Sequence, residues 1–144
     1  MKKILFAASE AVPFMKTGGL ADVTGSLPKY FDKKNYDVRV ILPKYVCMEE
    51  RWKGQLHFLC HFYVNLSWRK QYVGIFETTY DGITYYLVDN EFYFAGNAPY
   101  NNIYEDVEKF AFFSKAVLEA LPYLDFCPDI IHCHDWQTGL VPVY

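Results

Sequence analysis

The first 43 residues constrain the fold most. Residues 3–9 run apolar without alternation, as a strand buried on both faces of a parallel sheet does. A loop carrying Pro13, Gly18 and Gly19 follows, and Leu20, Val23, Leu27 and Phe31 then recur at helical spacing. Pro28 falls late enough in that segment to be expected to kink it. "YDVRVILP", residues 36–43, reads as a second strand closed by proline. Strand, glycine loop, helix, strand is a βαβ unit, and it points to a doubly wound α/β, Rossmann-like fold.

The middle of the chain changes period. In residues 55–67, Leu56, Phe58, Cys60, Phe62, Val64 and Leu66 alternate with mostly polar neighbours, so one face of a strand is expected to be buried. Residues 71–79 and 83–89 read as two further strands joined at Asp81-Gly82, a hairpin turn pair. An antiparallel β insertion is therefore expected after the first βαβ unit. The α/β pattern then resumes. Val107, Phe110, Ala111, Ser114, Val117, Leu118 and Leu121 lie on one helical face, with Pro122 just beyond. "PDIIHCH", residues 128–134, is a short strand, and a second helix is expected near Asp135 or Thr138, with Asp135 as its N-cap. That helix would hold Tyr144, so the expectation is one partial domain over residues 1–144, truncated and prone to self-association.

Composition narrows the function classes. A net charge of −3, with 14 scattered Lys and Arg, gives no basic surface for nucleic acid. The first apolar run is too short for a signal peptide and ends at Glu10, and no stretch approaches the ~20 apolar residues of a membrane span. Cys47, Cys60, Cys127 and Cys133 form no CxxC pair, which favours a reducing, cytoplasmic setting.

Two segments carry chemistry. In "MKTGGLADV" the loop leads from a strand end into a helix N-terminus, whose first N–H groups lack partners and whose dipole favours an anion. Gly18 and Gly19 let a phosphate approach the backbone, and Lys16 adds a charge; a tight turn with a surface lysine is the competing reading. Asp22, in the first helical turn, either complements the dipole or accepts bonds from sugar hydroxyls. In "HCHDW" the period of a strand puts His132 and His134 on one side and Cys133 on the other, so the three do not share a metal. His134, at the strand end, is expected to face the ligand crevice; His132, deeper in the run, is expected in the core, and Trp136 in packing. Tyr93 and Tyr100, beside "AGNAP", are the loop aromatics expected to meet a ligand.

The segments "ILFAASEAVPFMKTGGLADVTGSLPK", "YEDVEKFAFFSKAVLEA" and "DIIHCHDWQTGLVPVY" together resemble the N-terminal part of the bacterial glycogen synthase (starch synthase) family, from Lys3 to Tyr144. The resemblance implies a retaining, two-domain GT-B glycosyltransferase that moves glucose from ADP-glucose to the non-reducing end of an α-1,4-glucan, with no metal or other cofactor. It implies that Lys16, Gly18 and Gly19 approach the donor diphosphate and glucose. It places Asp22 in the cleft, His134 against the transferred glucose as the catalytic residue, and Tyr93 on the substrate side. Asp106 and Asp135 complete the implied substrate-binding set. Val107 and Lys109 stand where that family usually has Asn and Arg. The competing readings are a transferase with another nucleotide-sugar donor, such as a sucrose-type synthase, and a non-catalytic phosphate-binding module.

Overall fold

The computed structural model describes residues 1–144. Six strands form one sheet: β1 (Lys2–Ala7), β2 (Tyr36–Pro43), β3 (His57–Leu66), β4 (Arg69–Tyr80), β5 (Ile83–Asp89) and β6 (Ile130–Cys133), in the spatial order β3-β4-β5-β2-β1-β6. Three α-helices accompany them: α1 (Gly19–Ser26), the single turn α2 (Glu50–Lys53) and α3 (Ile103–Ala120). No helix is long and apolar enough to cross a membrane.

β1 lies between β2 and β6, parallel to both, which explains its unbroken apolar run: Leu5, Phe6 and Ala7 have no exposed surface. Asp129 sets the register of β6. Its carboxylate accepts from the Lys3 N–H and its own N–H donates to the Lys3 carbonyl, both at 2.8 Å. The antiparallel segment follows the first βαβ unit as expected and is continuous with the main sheet. β5 pairs in parallel with β2 and antiparallel with β4, so it ends the parallel core, and only β3 and β4 extend the sheet outward. The hairpin turn is as expected, with positive φ at both Asp81 (53°) and Gly82 (79°).

The two faces of the sheet are covered differently. On one, Leu5, Ala7, Ile41, Tyr86 and Val88 pack with Phe110, Phe113, Val117 and Ala120 of α3. On the other, Ile4, Phe6, Val40, Leu42, Tyr85 and Leu87 pack with Ala11, Phe14 and Met48, which come from loops.

Four expectations need correction. The buried side of α1 is Ala21, Thr24 and Gly25, while Val23 and Leu27 are exposed. The cause is close approach: a Cβ at Gly25 would lie 2.3 Å from Val12 Cγ2 and 2.6 Å from the Val12 carbonyl, so only small residues fit against that loop. Pro28 does not kink α1, because the α-helix stops at Ser26 and Pro28 is the second residue of a 3-10 turn at Leu27–Tyr30, where its missing N–H is not needed. In α3, Val107 is exposed and the neighbouring Asp106 and Lys109 are buried instead. After β6 there is a single 3-10 turn, Trp136–Thr138, rather than an α-helix. Asp135 caps it as expected, its Oδ1 accepting from the Trp136 N–H at 2.8 Å, and Pro142 brings no N–H to continue a helix.

Candidate active site at the C-terminal edge of the sheet

The loops after β1, β5 and β6 leave the same edge of the sheet, where α/β proteins bind ligands. The β1 loop turns back on itself through an Ala11–Met15 bridge, and buried Phe14 anchors it against Tyr85. Beyond Met15 it runs exposed to α1. Gly18, the N-cap, is extended and offers no side-chain cap, and the N–H groups of Gly18, Gly19, Leu20 and Ala21 find no acceptor in the chain. Neither Gly18 nor Gly19 has positive φ, and a Cβ on either would meet nothing within 4 Å. The fold therefore does not require glycine at these two positions.

Lys16 and Asp22, both named from sequence, meet: Nζ lies 2.9 Å from the Asp22 carboxylate, and both side chains are about half exposed. An exposed pair of this kind is worth ~0–1 kcal/mol, so Lys16 can exchange Asp22 for a stronger anion at little cost. That exchange would release Asp22 to accept other hydrogen bonds.

His134 closes the β6 side. Its N–H donates to the Ala7 carbonyl at 3.0 Å, and its ring lies 5.0 Å from Phe6. Its Nε2 is buried without a partner. Burial, and then the neighbouring His132, lowers its pKa to about 4, so the imidazole is neutral at pH 7. His132 is not a core residue. It is exposed, because β6 lies at one side of the sheet, and its ring sits 4.4 Å from that of His134. Trp136 is half exposed and packs edge-on against Phe110.

The β5 loop holds the other residues named from sequence. Tyr93 is buried rather than displayed; its ring stacks on Phe112 at 4.7 Å, while its hydroxyl lies near Glu108 and Arg69, without a well-formed hydrogen bond to either, beneath a groove of about 570 Å3. Phe92, Asn101, Tyr104, Glu108 and Lys109 are among its other lining residues. Asp106 is buried and engaged: it accepts from the Asn101 N–H at 3.1 Å and lies 3.3 Å from Lys109 Nζ, which also donates to the Pro99 carbonyl at 2.8 Å. Asp106 thus fastens this loop to α3 and is not open to a ligand. Tyr100 bonds Ser9 at 2.6 Å, tying the β5 loop to the β1 loop.

Of the four buried polar side-chain atoms without partners, three belong to these loops: Tyr93 Oη, His134 Nε2 and Gln137 Oε1. Buried polar groups are normally paired, so these groups are available to further hydrogen bonds at this sheet edge. Sequence reasoning named two of the three. It missed Gln137, which looks like a polar residue of a surface helix, and it missed Glu10, which looks like the polar end of β1 yet is 2% exposed.

The family model of the starch synthase catalytic domain matches residues 3–144. The chain is 69% identical over all 144 residues to a glycogen synthase of Lachnoclostridium phytofermentans and 65% identical to one of Lachnospira eligens, covering 30% of each. Its fold is similar to the catalytic domain of starch synthase IV from Arabidopsis thaliana, solved bound to ADP and acarbose, with a TM-score of 0.82 and 31% identity over 97% of this chain and 29% of that one. The chain thus spans about 30% of the length of the curated relatives it matches.

Proposed function

The chain belongs to the starch synthase catalytic domain family, and from that premise we propose that it forms part of an ADP-glucose-dependent glycogen synthase. The reaction is transfer of glucose to the non-reducing end of an α-1,4-glucan with retention, in the cytoplasm, by an enzyme of two-domain GT-B architecture. The observation that carries this reading is the set of unpaired polar groups along one sheet edge: the Gly18–Ala21 amides, His134 Nε2, Gln137 Oε1 and Tyr93 Oη.

The roles follow from the chemistry of each group. The α1 amides and Lys16 hold the donor diphosphate, with Gly18 and Gly19 allowing the approach. Asp22, freed from Lys16, accepts bonds from sugar hydroxyls, and its carboxylate sits in the first turn where the dipole favours it. Neutral His134 holds the transferred glucose near the reacting carbon and needs no proton exchange to do so at pH 7. Tyr93 presents a hydroxyl under the groove in which the glucan runs. Asp106 and Asp135 shape the β5 and β6 loops and act through them.

The test is glucose transfer from labelled ADP-glucose to glycogen by the complete polypeptide that carries these residues, beside its His134→Ala variant. Transfer to glycogen is expected, and the variant should lose about 10- to 100-fold in turnover, the size of one polar contact made in the transition state, with little change in melting temperature. Transfer only from a different nucleotide sugar would replace the donor, and binding of ADP without any transfer would reduce the chain to a binding module.

A further inference from the structure

The geometry points to Glu10 as the positioning residue of the anion loop, an inference that rests on the donor site proposed above and deepens it. Its Oε2 accepts two hydrogen bonds from Thr17, from the N–H at 3.1 Å and from Oγ1 at 2.5 Å. Among residues 16–18, Thr17 alone bonds back to the preceding chain, since Lys16 reaches only forward to Asp22 and Gly18 has no partner. The Glu10 carbonyl in turn accepts from Thr24 Oγ1 of α1 at 2.6 Å. One residue therefore holds the loop by its side chain and the helix by its backbone.

This fastening answers a problem the glycines create. Two successive glycines leave the loop free to sample many conformations, and each must be given up when an anion binds. Fixing the residue immediately before Gly18 removes much of that freedom in advance. Glu10 is 2% exposed, so it acts through Thr17 and not by touching the ligand. Its charge does not serve the anion: a carboxylate below the site opposes a phosphate above it, and the Lys16–Asp22 pair leaves no surplus positive charge to offset it. Its contribution is geometric, and the amide oxygen of a glutamine could accept the same two bonds.

The experiment uses the complete polypeptide with Glu10→Ala, Glu10→Gln, Thr17→Val and the Glu10→Ala/Thr17→Val double variant. Calorimetry measures the affinity for ADP and for inorganic pyrophosphate, and assays with ADP-glucose separate KM from kcat. Glu10→Ala and Thr17→Val should each weaken ADP and pyrophosphate about tenfold, the cost of ordering the freed loop on binding, and raise the KM for ADP-glucose more than they lower kcat. Glu10→Gln should stay within about threefold of the parent, and the double variant should be no weaker than the worse single one, because both remove the same link. Unchanged affinity in Glu10→Ala and Thr17→Val overturns the proposal. So does a loss in Glu10→Gln as large as in Glu10→Ala, since that would assign the effect to the charge. Should Glu10→Ala fail to fold, Thr17→Val decides the matter alone, because Thr17 is exposed. If ADP-glucose proves not to be a donor while pyrophosphate affinity still falls in Thr17→Val, the positioning role stands and the functional reading falls.

Discussion

α3 and α1 flank the same sheet, and their composition divides the work between them. α3 has 18 residues and buries nine, including Phe110, Phe112 and Phe113. α1 has eight and buries three, the small residues Ala21, Thr24 and Gly25. α3 is capped by Asn102, whose side chain accepts from the Glu105 N–H at 3.1 Å; α1 starts at Gly18 with no side-chain cap. A helix that holds a core needs apolar volume and satisfied ends. The anion-binding role proposed for α1 would use small residues beneath the helix, so that it can lie close to its loop, and free amides at its start.

Breaking the α3 side should have the largest effect on stability. Lys109→Met leaves Asp106 buried beside an apolar side chain, and removal of one partner from a buried pair costs about 3–5 kcal/mol. Urea unfolding of the complete polypeptide would measure it, and a loss under about 1 kcal/mol would mean that this turn of α3 is no more than a surface feature. On α1 the corresponding test is Gly25→Ala, whose Cβ must displace Val12 backbone and side chain. It should cost about 1–3 kcal/mol and shift the β1 loop, weakening ADP as well.

Acid comes next. A histidine whose pKa falls from 6.5 to about 4 on folding adds stability that is complete above pH 6.5, because the unfolded chain binds the proton first. That stability is lost as pH falls from 6.5 toward 4. The melting temperature should therefore decline across that window, and His134→Asn should flatten the decline; an unchanged slope would mean that His134 is solvated in the fold. The smallest effect on stability belongs to Gly19→Ala. Its Cβ meets nothing within 4 Å, so the unfolding free energy should hold to within about 0.5 kcal/mol while ADP affinity drops. Equal ADP affinity would show that the open space in front of Gly19 is not where the anion sits.

The same contrast explains what the sequence disclosed. The parallel strands, the Asp81-Gly82 hairpin and the extent of α3 were legible because each rests on a local rule of period or turn chemistry. The orientation of α1 was not. Its apolar residues promised burial of Val23 and Leu27, and close approach to Val12 selected the opposite, small-residue side. A register irregularity between Phe58 and Cys60 had a similar effect on β3, where Phe58 is half exposed although it keeps the parity of buried Phe62 and Val64. At the site, Lys16, Gly18, Gly19, Asp22 and His134 could be named from strand-end and helix-start positions. Glu10 and Gln137 could not, because their burial depends on partners distant in sequence, and the bond of buried Asp106 to Lys109 was equally hidden, since nothing local reveals it.

Two tyrosines converge on one serine below the anion loop. Tyr45 Oη donates to the Ser9 carbonyl at 2.7 Å, and the Tyr100 hydroxyl lies 2.6 Å from Ser9 Oγ. Burial pushes the phenol of Tyr100 up to about 12 and that of Tyr45 well above its ordinary value, so both remain protonated through mild alkali. Above pH 10 an unfolded tyrosine sheds its proton more readily than these two, and the stability they contribute is lost as pH rises toward 12. Phenolate absorbance near 295 nm should then record Tyr45 and Tyr100 as late, steep components whose appearance coincides with release of the β1 loop, giving an optical report of when that loop lets go.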